Sequence, residues 1–316
     1  MSRIEKDALG EVEVPDDCLF GAQTQRALAN FRVGRERFPA EFIRAHALVK
    51  KAAARVNVRL GRLDATLGEA IAAAADQVVE DGGGEDFPLA LWQSGSGTQT
   101  NMNMNEVLAN LANERLGGKR GEKSPVHPND HVNMAQSTND TVPTSMNVAA
   151  LLGVRDRLLP ALDGLKDALS ERAAAFEDAV KIGRTHLQDA TPVTLGQEFS
   201  GYAEQVSRAR EAVASTMPEL AALPIGGTAV GTGLNTNPEF GPAAAAHIAD
   251  ITGLPFHCGE NKFSAIAAHD CFVRLSGGLN TLACALMKIA NDIRLLGSGP
   301  RCGLGELVLP VNEPGS

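Results

Sequence analysis

The sequence predicts a mainly α-helical protein built around a bundle of long helices, and three observations carry that expectation. First, three long stretches of the second half repeat apolar residues at three- and four-residue steps: Val142 to about Phe176, Leu195 to Leu223, and Asn261 to Leu296. The last would reach roughly 54 Å at ~1.5 Å per residue, far beyond the ordinary helix of ~12 residues. Second, Ala, Leu, Ile and Val lie on several faces of these stretches without strict heptads, which demands burial on several sides. If one chain cannot cover every face, neighbouring subunits must, so an oligomer is expected. Third, strand–helix alternation is absent, which excludes a Rossmann-type reading.

In chain order, residues 1–35 hold Pro15 and several glycines and read as loop with short turns. Pro39 to about Leu60 turns helical, with Phe42, Ile43, Ala47, Leu48, Ala52 and Val56 at helical steps. A second helix covers Leu67 to Glu80 and stops at Gly82-Gly83-Gly84. Residues 85–100 read as loop. Asn105 to Leu116 is a helix ended by Gly117-Gly118, and residues 117–136, with Pro125 and Pro128, are loop. The long helix from Val142 is expected to bend at Pro160. Gly226 to Gly233 reads as a tight connection between helices.

Composition narrows the function. The 316 residues include 29 basic and 38 acidic side chains, a net charge of −9. That opposes gripping a nucleic-acid backbone by bulk charge but leaves a small anionic substrate open. Aromatics are 4% of the chain, too few for base-stacking platforms. Cys18, Cys258, Cys271, Cys284 and Cys302 are scattered, which reads as reduced thiols in a cytoplasmic protein without an iron–sulfur cluster. The N-terminus lacks an apolar signal region, and no ~18-residue apolar run suggests a membrane span.

Four polar segments interrupt the helical pattern. Ser94-Gly95-Ser96-Gly97-Thr98-Gln99-Thr100-Asn101 either offers backbone N–H groups and hydroxyls to an anion or is a flexible turn capping a helix. His127-Pro128-Asn129-Asp130-His131 reads as a capped turn or an anion-binding turn. Its two histidines suit zinc only on a helix face that Pro128 speaks against. Gln136-Ser137-Thr138-Asn139-Asp140 either caps the long helix or binds a carboxylate at its start. Gly183 to Asp189 contains His186, an acid–base candidate because its ordinary pKa lies near neutrality. Arg184 and Lys262 are the cations nearest these segments in sequence.

Taken together, these segments resemble the fumarase/aspartase superfamily, and within it the class II fumarate hydratases. The likeness rests on Leu91 to Asn103, His127 to Asp140, Lys181 to Gly201 (KIGRTHLQDATPVTLGQEFSG), Gly226 to Thr236 and the Gly299-Pro300-Arg301-Cys302-Gly303 run, and spans essentially the whole chain. The resemblance implies a homotetramer with a core of twenty long helices and active sites shared by three subunits. It implies that Ser96, Gly97, Thr98, Ser137, Thr138, Asn139 and Thr185 bind a dicarboxylate. His186 would move a proton through an activated water, and Ser316 would match the catalytic base. His127, Pro128, Asn129 and Asp130 resemble a secondary anion site. The reaction implied is reversible hydration of fumarate to L-malate in the tricarboxylic acid cycle, with no cofactor, metal, nucleic acid or membrane.

On this resemblance the chain divides into an N-terminal domain, 1–134, and a central bundle domain, 135–316. It departs from the family by ending at Ser316, without the family's later substrate contacts and C-terminal domain, so the 1–316 polypeptide alone is expected to be inactive. Two rival readings are an aspartate ammonia-lyase of the same superfamily and a non-catalytic helical scaffold or binding protein.

Overall fold

The computed structural model describes residues 1–314, so Ser316 lies outside the described residues. In chain order the elements are strands β1 (Ser2–Asp7) and β2 (Gly10–Pro15), helices α1 (Ala22–Asn30), α2 (Ala40–Arg59), α3 (Ala65–Asp81), α4 (Thr98–Arg115), α5 (Thr138–Gly153) and α6 (Leu159–Ala175), and strands β3 (Val180–Thr185) and β4 (Gln188–Thr194). Then follow α7 (Leu195–Ala214), α8 (Met217–Leu220), β5 (Ala222–Leu223), α9 (Phe240–Thr252), β6 (His257–Cys258), α10 (Lys262–Ala267) and α11 (Asp270–Leu296). The mainly helical expectation holds, with three two-stranded sheets added among the described residues. The chain packs as two units, Met1–Gly153 with Pro218–His269, and Val154–Met217 with Asp270 onward.

In the first unit α2, α3 and α4 surround a core that includes Ile43, Ala47, Ile71, Ala74, Met104 and Leu108. Asp64 starts α3 by accepting from the N–H groups of Thr66 and Leu67 at 2.8 and 3.2 Å. Gly82, at φ 71°, ends it. The segment expected to be loop, residues 1–35, instead forms a hairpin and a helix. β1 and β2 pair antiparallel from Ser2↔Pro15 to Asp7↔Gly10, and the alternating Val12 and Val14 are the strand signal that the short polar run obscured. The helix α1 has little apolar patterning of its own and is fixed by tertiary carboxylates.

That fixing is specific. Glu106 of α4 is buried and accepts from the N–H groups of Gly21, Gln23 and Thr24 at 2.9, 2.8 and 3.1 Å and from the Thr24 hydroxyl at 2.7 Å. Glu5 takes the N–H of Ala22 at 3.0 Å. The orphan donors of the α1 start are thus satisfied by carboxylates, which the helix dipole favours. Gly21 is required there, because a Cβ would stand 2.6 Å from Glu5 Oε2 and 3.0 Å from Glu106 Cδ. Burial raises the Glu106 pKa, and the Thr24 hydroxyl and three N–H donors oppose that rise. Glu106→Ala strands these donors and is expected to destabilise the first unit by more than ~3 kcal/mol, at ~1–3 kcal/mol per unsatisfied buried group. Urea unfolding checks this.

Further expectations change. The stretch from Leu195 to Leu223 is α7 followed by the short α8 and strand β5, and α4 begins at Thr98 rather than Asn105. Ahead of Pro160, where the sequence predicts a bend, the helical backbone after α5 widens into a π-type turn over Val154–Leu158. Pro160 has no N–H and its ring crowds the carbonyl four residues back, Asp156, so the irregularity falls before the proline. The stretch from Asn261 to Leu296 is two helices, α10 and α11, separated at Ala268 and His269. The helix α9, between Pro238 and Gly253, is an addition to the elements read from sequence.

In the second unit α6, α7 and α11 share a core of Leu162, Leu169, Phe199, Val206, Leu282 and Ile289. The buried residues of α11 are Leu275, Leu282, Ile289 and Leu296, a single stripe at seven-residue spacing. Val273, Met287 and Leu295 of the same helix stand in solvent, at 71, 64 and 41% exposure.

Candidate active site

The first unit brings two helix starts together. Gly97, at φ 77°, is the residue before α4, and a Cβ there would lie 2.8 Å from Val142 Cγ1 of α5. Only glycine satisfies both the backbone angle and the close approach. One turn on, Asn101 Nδ2 of α4 donates to Thr138 Oγ1 at the start of α5, at 3.0 Å. Ser96, Gly97, Thr98, Ser137, Thr138 and Asn139 are therefore gathered at two adjoining helix N-termini.

The loop before α4 is exposed and rich in hydroxyls. Ser96 Oγ lies 3.1 Å from Ser94 Oγ and 3.2 Å from Thr98 Oγ1, and Ser94 donates to Gln99 Oε1 at 2.7 Å. No side chain caps α4, so its first N–H groups stay available to an anion. The start of α5 is built differently. Ser137 Oγ accepts from the N–H of Asn139 at 3.2 Å, while Asp140 Oδ1 accepts from the N–H of Ser137 at 2.9 Å. Asp140 Oδ2 accepts from the N–H groups of Gly226 and Thr228 at 3.0 and 2.9 Å. Asn139 Nδ2 reaches the carbonyl of Ala229 at 2.7 Å. The Gly226–Gly233 connection thus holds the Ser137–Asn139 segment in place. Burial pushes the Asp140 carboxyl up, against the pull of these N–H donors.

A buried polar layer lies under this pair of helix starts. Lys50 Nζ of α2 donates to Asn133 Oδ1 at 2.9 Å and Gln136 Oε1 at 3.0 Å. Burial lowers its pKa to about 7, with the Asp140 charge acting in the opposite sense. His46, one turn earlier, meets Ser145 Oγ through Nδ1 at 2.7 Å. Burial first, then the Lys50 charge, holds His46 well below its ordinary value.

The His127–Asp130 turn borders a separate cavity of about 440 Å³ lined also by Lys6, Lys123 and Gln23. Within the turn, His127 Nδ1 accepts from the N–H of Asp130 at 3.2 Å, and His131 Nδ1 accepts from the N–H of His127 at 2.9 Å. Pro128 is buried and Asn129 exposed. Among the described residues no three His, Cys, Asp or Glu side chains are grouped to hold a metal, and no helix is long and apolar enough to cross a membrane.

Thr185 and His186 belong to the second unit, at the tip of the β3–β4 hairpin. Thr185 pairs with Gln188, leaving His186 and Leu187 as a two-residue turn with φ 55° and 62°. Both positive angles mark a type I′ geometry that glycine or asparagine normally supplies. His186 is exposed there. The hairpin is tied down by charge: Lys181 pairs with Glu198 at 2.8 Å and Glu306 at 2.6 Å, and Arg184 pairs with Glu306.

Of the cations read as nearest the motifs, Arg184 is engaged by Glu306, and Lys262 donates to the Gly259 carbonyl at 3.1 Å. The cation that underlies the candidate site is Lys50, which sequence reasoning missed; Asn101 and Asp140 lie in the polar segments read from sequence, without a role assigned to either. A signal existed: His46 and Lys50 lie three and seven residues past Ile43, on the same apolar stripe that continues to Ala54. A charge on the buried stripe of a helix needs a polar partner inside the protein.

Comparison with known proteins agrees with this architecture. A family model described as Lyase matches residues 10–316. The class II fumarate hydratase of Methylorubrum extorquens is 60% identical over 315 residues, covering 100% of this chain and 67% of that protein. The mitochondrial fumarate hydratase of Rhizopus oryzae is 60% identical over 316 residues, covering 99% of this chain and 64% of that protein. The chain thus spans about two thirds of the length of these curated relatives. The crystal structure of recombinant class II fumarase from Schistosoma mansoni superposes with a TM-score of 0.98 at 43% identity, covering 100% of this chain and 70% of that one. By family match, relatives and fold, the chain belongs to the lyase family and is a member of the fumarase/aspartase superfamily.

Proposed function

We propose that the protein catalyses the reversible hydration of fumarate to L-malate, a reading supported by relatives named fumarate hydratase. The observation that carries the reading is the convergence of the α4 and α5 starts, joined by the Asn101–Thr138 hydrogen bond of 3.0 Å. Removing a C3 proton from malate leaves a carbanion whose charge spreads into the adjoining carboxylate. That charge needs fixed donors around the carboxylate oxygens. The Ser96 and Thr98 hydroxyls and the uncapped α4 N–H groups supply them on one side. Ser137, Thr138 and Asn139 supply them on the other. The base and the acid must stand on opposite faces of the substrate. We assign proton transfer to His186, substrate contact to Thr185, and the base to Ser316.

The same reading makes the protein a cytoplasmic homotetramer acting in the tricarboxylic acid cycle, its sites shared by three subunits. The exposed Val273, Met287 and Leu295 of α11 support self-association. It also divides the chain near residue 134 and makes the His127–Asp130 turn a secondary anion site, beside which Lys6 and Lys123 line the cavity together with the carboxylates of Asp7 and Glu106.

Ser96→Ala tests the carboxylate assignment. Losing a charge-assisted hydrogen bond of ~1.5–3 kcal/mol is expected to lower kcat/KM for fumarate about 10- to 150-fold. Because Ser96 is exposed, folding should be unaffected. Steady-state kinetics of the protein made from its native reading frame check this; unchanged kinetics would remove Ser96 from the substrate contacts, and a wild-type protein without activity would support a non-catalytic scaffold instead.

A further inference from the structure

Lys50 sits in the middle of α2 with a relative exposure of 0%. A lysine at that depth normally faces a carboxylate. Here both hydrogen bonds of the ammonium go to amide oxygens, at 2.9 Å to Asn133 and 3.0 Å to Gln136. Asn133 Oδ1 also accepts from Asn101 Nδ2 at 3.2 Å, and Asn101 Nδ2 donates to Thr138 Oγ1 at 3.0 Å. The ammonium fixes the Asn133 amide with its oxygen toward Lys50 and Asn101. That oxygen, in turn, fixes which end of the Asn101 amide points to Thr138. With a lone pair of Thr138 filled from below, its hydroxyl proton is left to donate outward.

We propose that Lys50 is a positioning residue for the dicarboxylate site, orienting the Thr138 hydroxyl through Asn133 and Asn101 and adding a positive charge beneath the two helix starts. This inference rests on the fumarate reading above. A buried ammonium whose hydrogen bonds go only to neutral groups costs stability, and a local cost of this kind is the mark of a site kept for function. In a low-dielectric interior the charge favours a dianion over the empty site.

Burial places Lys50 at about 7, so the empty site loses its ammonium as pH rises past neutrality, whereas a bound dianion holds the proton. The charge that acts on Lys50 is Asp140 from α5, which favours the ammonium, while the Lys50 charge itself helps to hold His46 on α2 below its ordinary value. The other charges brought to α2 are otherwise engaged. Asp76 and Glu69 of α3 pair with Lys51 and Arg55, His247 of α9 feels Arg55 and Asp250, and His131 accepts from the His127 backbone.

The test is fumarate hydration by the native-frame protein, with kcat and KM followed from about one unit below to about two units above the Lys50 value of about 7. The wild-type KM is expected to rise with pH over that range. Lys50→Met matches the side chain in size and removes a buried charge, so folding should survive. Its KM is expected to be raised about tenfold at the acid end, the worth of one oriented hydrogen bond. It should then stay flat with pH, and kcat should change less than about threefold. A Lys50→Met protein with wild-type KM and wild-type pH dependence overturns the proposal. Should that variant not fold, Asn101→Leu cuts the relay at its other end, and an unchanged KM there overturns the proposal equally. A wild-type protein that does not hydrate fumarate sinks the underlying reading and this inference with it, whereas an active wild type with an indifferent Lys50→Met sinks the inference alone.

Discussion

His186→Asn is expected to lower kcat for fumarate hydration about 10²- to 10⁴-fold, the range for loss of a positioned acid or base, without loss of folding. The structure separates the two effects. His186 and Leu187 form the two-residue turn of the β3–β4 hairpin, both at positive φ. Left-handed backbone costs ordinary L-residues about 1–2 kcal/mol each, and Asn tolerates it better than His. The exchange therefore relaxes the turn while removing the imidazole. The salt bridges from Lys181 and Arg184 to Glu306 are left untouched. Thermal unfolding should show an equal or higher Tm, and rate measurements should show the fall in kcat. A kcat within about threefold of wild type, in a protein of unchanged stability, would remove His186 from the reaction.

Asp140→Ala is expected to cost more than ~3 kcal/mol of stability and to abolish the site with it. One carboxylate holds three backbone N–H groups, those of Ser137, Gly226 and Thr228. The Gly226 and Thr228 donors become unsatisfied and buried, and the half-buried Ser137 donor loses its partner, when the carboxylate is lost, at ~1–3 kcal/mol per buried donor. The consequence is not only stability, because these bonds join the Ser137–Asn139 segment to the Gly226–Gly233 connection. Thr228 stands at φ 54°, a strained angle for a β-branched residue that the Asp140 bond helps to hold. Asp140→Asn keeps one acceptor and should fall between Ala and wild type. Urea unfolding curves order the three proteins; a mild Asp140→Ala phenotype would mean that the two segments are held by other contacts.

Much of this architecture was legible in the sequence for a simple reason. Helices α2 and α3 and the long helices of the second half write their buried faces as apolar residues at helical spacing, and Gly82 writes its stop. The hydroxyl-rich loops were legible because Ser, Thr, Asn and Gly in sequence have few structural uses besides turns, caps and anion contacts. What sequence could not show is set by contacts distant along the chain. The α1 start depends on Glu106, more than eighty residues away. The split into two discontinuous units depends on the return of residues 218–269 to the first, where Asn147 Nδ2 donates to the Leu220 carbonyl at 2.9 Å. The relay from Lys50 to Thr138 joins three helices and a loop, and its members look in sequence like an ordinary lysine and two ordinary asparagines.

The measurement that reaches the central claim most directly is the activity of the purified native-frame protein, supplied with L-malate and separately with L-aspartate. Fumarate formation is followed by its absorbance in both. The account predicts fumarate from malate and none from aspartate; fumarate from aspartate alone would contradict it and assign the protein to ammonia elimination.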